Sequence, residues 1–277
     1  MKRKKIKIGG IIRFLLLACV AVITIFPLYF TVVSAFKDEN EYFANMFGLP
    51  QVWTFENFVH FFERYSVVDM FVNSALVTVV SLTVMLFLSS LSGFVFAKYP
   101  YRGSEKVLSF MIAFMMVPPM VLLIPVFLMM AKLGLINNPV SLILFYIAFY
   151  MPFSVYLMTA NFKSIPDECI ESAKLDGAGM LQIYRFIGLP LCKPTIMTLF
   201  TLSFLWCWNE FLYSMMLLQK PEVRTLTVGV ATVIGKNQTD MPLLYTGLLV
   251  NIVPVLILFI VGQKYLQKGL IAGAVKG

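Results

Sequence analysis

Apolar and polar residues alternate in long blocks along this chain, not with the short periods of a soluble domain. Six apolar runs stand out, at residues 14–36, 70–97, 107–131, 140–162, 195–218 and 243–261. A bilayer core about 30 Å thick takes roughly 20 residues of helix. Backbone amides in lipid must pair within their own segment, so each run is predicted helical. The third run holds Pro118, Pro119 and Pro125, which delete backbone bonds and predict a bend or an unwound stretch. Within the polar segment after the first run, Phe55, Phe58, Val59 and Phe62 recur at helical spacing behind Thr54, a candidate N-cap. This predicts an amphipathic helix at the membrane interface.

The longest weakly hydrophobic stretch after residue 70 is 164–194, between the fourth and fifth runs. Ser164 and Asp167 fit a capping box, with Pro166 in the first turn. A short helix is expected over 165–176. Gly177 then suits a left-handed C-terminal position, and a second short helix over 180–187 ends before Pro190. Ser172, Ala173, Gly177 and Ala178 are small and allow close approach by another surface. Glu171 and Asp176 add carboxylates, and Leu175, Leu181 and Ile183 add apolar contact. That mixture suits a partner's groove, although a well-capped loop with no partner has the same composition.

Composition sharpens this picture. The chain of 277 residues is 60% hydrophobic and 13% charged, about half the charged share of a soluble domain. A net charge of +8 raises the question of nucleic acid, and its distribution answers it. Sixteen of the 22 Lys and Arg residues fall in the N-tail, the 98–106 loop, the central loop and the C-tail; six fall on the opposite side. The positive-inside rule therefore puts both termini and the central loop in the cytoplasm. The basic balance is explained as topology, without nucleic acid.

Candidate chemistry is sparse. Cys19, Cys169, Cys192 and Cys207 form no CxxC pair and read as free thiols. His60 is the single histidine, so a histidine metal cluster is excluded. A P-loop requires G-x-x-x-x-G-K-[ST]. The stretch from Gly229 to Asn237 has one residue too many between its glycines and lacks the hydroxyl, so no nucleotide site and no enzyme activity are assigned. A carboxylate inside a bilayer is costly and must face protein or a cavity, which singles out Glu210. Beside it stand Trp206, Trp208 and Asn209, the residue types a sugar site uses. A helix-packing bond, with the tryptophans in an interfacial belt, explains the same residues. Asn73 in the second run has the same two readings. Asn73, Trp206, Asn209 and Glu210 are the candidate pathway residues.

The central stretch carries a spaced pattern: Glu171-Ser172-Ala173, three residues, Gly177, nine residues, then Ile187-Gly188-Leu189-Pro190. It resembles the EAA loop of ABC-transporter permeases, departing only at Ser172 in place of alanine. Asp176-Gly177-Ala178, Trp208-Asn209-Glu210-Phe211 and Gly273-Ala274-Val275-Lys276-Gly277 resemble the version in carbohydrate importers of the maltose and oligosaccharide type. The likeness to that type's smaller, six-span subunit covers essentially the whole chain. It implies an all-α polytopic membrane protein with the type I ABC importer fold. Its expected parts are a basic tail at 1–13, a first span and external loop at 14–68, a transmembrane core at 69–262 and a C-tail at 263–277. The resemblance further implies a prokaryotic cytoplasmic-membrane permease of an ATP-driven sugar importer. Glu171, Ser172, Ala173, Asp176, Gly177, Ala178, Leu189 and Pro190 would couple it to the ATPase. Implied partners are two copies of a cytoplasmic ATPase, which hold the ATP and Mg, a second permease and an external sugar-binding protein. This chain would bind no cofactor. A permease for another solute class and an ion-coupled secondary carrier are the rival expectations.

Overall fold

A computed structural model describes residues 8–235 and 239–274, with no strand among them. The helices are α1 (Ile8–Ala35), α2 (Glu39–Ala44), α3 (Glu56–Arg64), α4 (Val67–Lys98), α5 (Ser104–Phe114), α6 (Pro119–Lys132) and α7 (Pro139–Lys163). They continue with α8 (Asp167–Leu175), α9 (Met180–Ile183), α10 (Leu189–Trp208), α11 (Leu212–Leu217), α12 (Leu226–Ala231) and α13 (Met241–Ala274). Residues 1–7, 236–238 and 275–277 lie outside the described residues. With them go most of the basic N-tail, the end of the rejected P-loop stretch and the last three residues of the C-terminal motif.

The chain forms two compact units. One takes the sequence up to Val67 together with Val230–Val253; the other takes Val68–Gly229 and the chain from Pro254 onward. In the first unit, Lys37 is fully buried. Its Nζ donates to the carbonyls of Asn45 at 2.6 Å, Met46 at 3.2 Å and Gly48 at 2.7 Å. The ammonium thus gathers three carbonyls of the segment that follows α2. Burial lowers the Lys37 pKa from the ordinary lysine value, and the Glu41 carboxylate opposes that shift. Asn57 donates to the carbonyls of Ala35 and Lys37, finishing the C-terminus of α1. The expected amphipathic helix is α3, but its N-cap is Phe55, without a side-chain cap; Thr54, one residue earlier, accepts from the Glu56 amide through Oγ1 at 3.1 Å. Its buried residue is Phe61, while Phe55, Val59 and Phe62 of the expected stripe are exposed.

Among the described residues, five helices are long and apolar enough to cross a membrane: Ile12–Ala35, Val67–Lys98, Pro139–Lys163, Met180–Trp208 and Met241–Gln263. The expected third span is two helices, α5 and α6, meeting at 101°. Pro118 and Pro119 sit at the break, where the Pro118 backbone is extended and Pro119 opens α6. An 11-residue α5 rises only about 16 Å, too short to cross alone.

The fifth span also differs from expectation. It begins with α9 and runs through a π-helical turn, Tyr184–Gly188, into α10. Pro190 does not stop the helix. A proline here removes one amide and its ring crowds the carbonyl four residues back. The wider turn accommodates this: the Leu189 amide pairs five residues back, with Tyr184. At the other end the expected run to Leu218 breaks after Trp208, and α11 follows as a separate short helix.

In the second unit, α4 and α7 pack closely at Gly93. A Cβ placed there would lie 2.7 Å from Met158 Cβ and 3.0 Å from the Thr159 amide nitrogen. Below that contact a buried cluster gathers Phe94, Met158, Phe162, Ile170, Ile183 and Tyr184. This cluster is the seat of the central loop.

Candidate coupling loop and transmembrane cavity

The loop begins where α7 ends. Ser164 does not cap α8 as expected; it closes α7 instead, its Oγ donating to the Asn161 carbonyl at 2.7 Å. The hydroxyl is spent on the preceding helix, and α8 starts after Pro166 without a side-chain cap. Lys98 supplies the missing fixture. Its Nζ donates to the Ile165 carbonyl and to Asp167 Oδ1, each at 2.6 Å. The Lys98 side chain is 4% exposed and the Asp167 side chain 80%. Lys174 lies over the Tyr99 ring at 4.9 Å, so both ends of α8 are tied to the end of α4. Nothing in the sequence pattern of the loop pointed to Lys98, because its role depends on a fold contact 67 residues away.

The loop turns on Gly177, whose φ is +83°. The Gly177 amide bonds the Lys174 carbonyl at 3.0 Å, and the Ala178 amide bonds the Ala173 carbonyl at 2.9 Å. This paired closure satisfies two of the last carbonyls of α8 and requires a left-handed residue at its centre. The Gly179 amide then donates to Gln182 Oε1 at 2.8 Å and opens α9.

Packing divides the loop into a seated face and a bare one. Ile165, Ile170, Ile183 and Tyr184 are buried, with Ala173, Ala178, Ile187 and Leu189 packed against them. Tyr184 Oη lies 2.7 Å from Ser90 Oγ. Gly188 sits against Phe94 and Phe162. Glu171, Ser172, Asp176, Gly177 and Pro190 are exposed, as are Leu175, Leu181 and Phe186.

At the far end of α10 lies a cavity of about 580 Å³. Trp206, Asn209 and Glu210 line it together with Tyr150, Phe149, Phe153 and Pro119. Tyr150 and Trp206 stack with centroids 5.3 Å apart and planes 24° from parallel. Asn73 is elsewhere: its amide donates to the carbonyls of Glu222 at 2.9 Å and Arg224 at 3.2 Å. Trp208 is buried, stacked on Phe204 and edge-on to Phe71.

Glu210 has its acceptors filled from within. Oε1 accepts from the Tyr213 amide at 2.8 Å; Oε2 accepts from the Ser214 amide at 2.9 Å and the Tyr146 hydroxyl at 3.2 Å. The carboxylate caps α11, where amides are otherwise unpaired. Tyr213 in turn donates to the Pro119 carbonyl at 2.7 Å and stacks on Phe145. The break in the fifth span is thereby joined to the break in the third. No group of three His, Cys, Asp or Glu side chains able to hold a metal occurs among the described residues.

The family model described as "Binding-protein-dependent transport system inner membrane component" matches residues 86–270. The chain belongs to this family. It is 33% identical over 264 residues to the melibiose/raffinose/stachyose import permease protein MelC of Bacillus subtilis (strain 168), with 95% of each chain covered. It is 31% identical to the arabinooligosaccharides transport system permease protein AraQ of Halalkalibacterium halodurans, over 100% of both chains. Among solved structures, a bacterial ABC transporter involved in the import of the acidic polysaccharide alginate matches with a TM-score of 0.83. That match has 23% identity and covers 96% of this chain and 99% of the other. The permease therefore has the type I ABC importer fold. It is a multi-pass inner-membrane transport subunit, and the exposed loop and the cavity lie at opposite ends of α10.

Proposed function

We propose that this permease forms half of the pathway of an ATP-driven sugar importer. Its neighbours in sequence are import permeases for neutral oligosaccharides by name, which supports sugar as the solute class. A cytoplasmic ATPase, present in two copies, docks on the bare face of the 164–194 loop and holds the ATP and Mg. A second permease completes the pathway, and an external binding protein delivers the sugar. Both termini are cytoplasmic, in line with the distribution of Lys and Arg.

The observation that carries this reading is the loop's two-sided construction. Glu171, Ser172, Asp176, Gly177 and Pro190 form the contact face, while Ala173, Ala178 and Leu189 seat it on the buried cluster. A force applied to α8 passes into α4 and α7 through Lys98, Lys174 and the cluster, and into α10 through α9. Closure of the ATPase pair on ATP would move the loop as a body and tilt these helices between inward-facing and outward-facing arrangements. An ion-coupled carrier draws no support from Glu210, whose carboxylate oxygens are already engaged in capping α11.

Co-purification tests the reading. Tagged permease is expressed with its candidate ATPase, extracted in detergent and captured. Wild type retains the ATPase, and Gly177→Val loses it. Equal retention by both forms would remove the loop from the docking role. Sugar accumulation by the reconstituted permease alone, driven by an ion gradient, would give the function to the carrier class.

A further inference from the structure

Three helices leave a small cavity that neither the solute pathway nor the coupling loop uses. It measures about 120 Å³ and lies between the end of α4, the start of α5 and the end of α7. We propose that it binds the phosphodiester of an anionic phospholipid headgroup. The topology proposed above then places that lipid in the cytoplasmic leaflet, where basic pockets between membrane helices meet anionic headgroups.

The site begins at a tight turn. Gly103 is left-handed, with a φ of +98°. The Ser104 amide donates to the Tyr101 carbonyl at 2.9 Å, and the Val107 amide donates to the Gly103 carbonyl at 3.1 Å. The Glu105 and Lys106 amides between them have no acceptor among the described residues, and no side chain caps α5. Unpaired amides at the start of an 11-residue helix attract an anion.

A second, independent feature points to a ligand. Ser104 lines the cavity and is only 5% exposed, and its hydroxyl has no hydrogen-bond partner among the described residues. The unpaired hydroxyls of Ser34, Ser81 and Ser203 are sealed inside the protein; that of Ser104 opens on the cavity. A buried donor left unmade costs free energy, and a phosphate oxygen entering the cavity relieves it.

Charge selects the headgroup. Lys163 and Glu105 line the same cavity yet form no ion pair with each other. Arg102 and Lys106 flank it in the chain and are exposed, whereas Lys98 is engaged by Ile165 and Asp167. Three cations against one carboxylate favour a headgroup with net negative charge. The apolar side of the site favours a lipid over free phosphate. Leu108 lines the cavity, and Ile112, four residues on along the same face of α5, is exposed. An acyl chain can follow that face.

The test uses the full transporter, with second permease and ATPase, delipidated in detergent. Binding of short-chain phosphatidylglycerol, phosphatidylethanolamine with the same chains, and inorganic phosphate is counted by native mass spectrometry. Phosphatidylglycerol should bind saturably and severalfold more tightly than phosphatidylethanolamine, and inorganic phosphate should not displace it. Ser104→Ala and Lys163→Gln should each weaken that binding about fivefold. Glu105→Gln should strengthen it by a similar factor, a gain that misfolding cannot produce. Lys132→Gln, at the far end of α6, should leave it unchanged. Equal affinity for the two lipids, unchanged affinity in the three site variants, or an equal loss in Lys132→Gln would overturn the proposal. Phosphatidylethanolamine bound more tightly, and lost in Glu105→Gln, would overturn the anionic assignment. Displacement by inorganic phosphate, with the same pattern among the variants, would overturn the lipid assignment and leave a phosphate site. Because binding is read in detergent, an inverted topology would leave these results as they are; sidedness labelling tests it separately.

Discussion

Gly177 isolates a backbone requirement from a packing one. No atom lies within 4 Å of where its Cβ would stand, yet its φ of +83° lies where L residues are rarely found. A left-handed conformation costs roughly 1–2 kcal/mol for most residues and less for Asn. Gly177→Val should therefore lose ATPase capture while Gly177→Asn retains most of it. Equal loss in both would mean that the glycine serves the partner's approach and not the turn. Lys98 makes a second residue-scale case. Its link to exposed Asp167 is worth little as an ion pair, but its bond to Ile165 serves a buried residue. Asp167→Ala should change thermal stability in detergent by under about 1 kcal/mol, and Lys98→Met should cost about 1–3 kcal/mol. A larger loss from Asp167→Ala would reverse this assignment.

Helices and their interruptions carry the next level. Gly93→Ala pushes a methyl into Met158 Cβ and the α7 backbone, neither of which is a flexible chain end. Overpacking of this kind costs typically about 1–3 kcal/mol, and a fall in the melting temperature of the purified permease measures it. An unchanged melting temperature would show that α4 and α7 separate there without penalty. The apolar runs predicted roughly where the long helices lie, because a bilayer imposes length and polarity on any helix that crosses it; the third of the six runs is a bent pair, α5 and α6, and not one long helix. The runs could not predict the interruptions. Pro118 and Pro119 were readable as a disturbance, but the 101° bend depends on what α5 and α6 pack against. Pro190 has the sequence signature of a stop, and the π-helical turn at Tyr184–Gly188 overrides it, since Gly188 lets that turn sit against Phe94 and Phe162. The spacing of Ser164 to Asp167 fits a cap of α8. The same hydroxyl had a nearer acceptor in α7. In the cavity, Trp206, Asn209 and Glu210 were found by their oddity in an apolar run. Tyr150 was not, since one tyrosine in an aromatic-rich helix gives no signal until its neighbour across the helix pair is known.

Across the whole molecule, α10 ties the two candidate sites together. Its 20 residues rise about 30 Å, from the exposed central loop to the cavity lined by Trp206. Coupling between sites that far apart needs a rigid element with two arrangements. The helix has one irregular turn, next to the loop, and one break, next to the cavity, so its ends are where its tilt can be taken up. This arrangement makes a prediction about sidedness that native chemistry can read. Cys169 is exposed on α8, Cys192 and Cys207 are buried, and Cys19 lies in the first span. A membrane-impermeant maleimide should label Cys169 in inside-out vesicles and leave it unlabelled in intact cells, with Cys169→Ser as the blank. Adding the ATPase should protect it, and ATP should change the rate of labelling as the loop shifts against its partner. Labelling from outside the cell would invert the topology that the basic residues imply. Labelling from inside that the ATPase never slows would leave the topology standing and place the docking contact on some face other than α8.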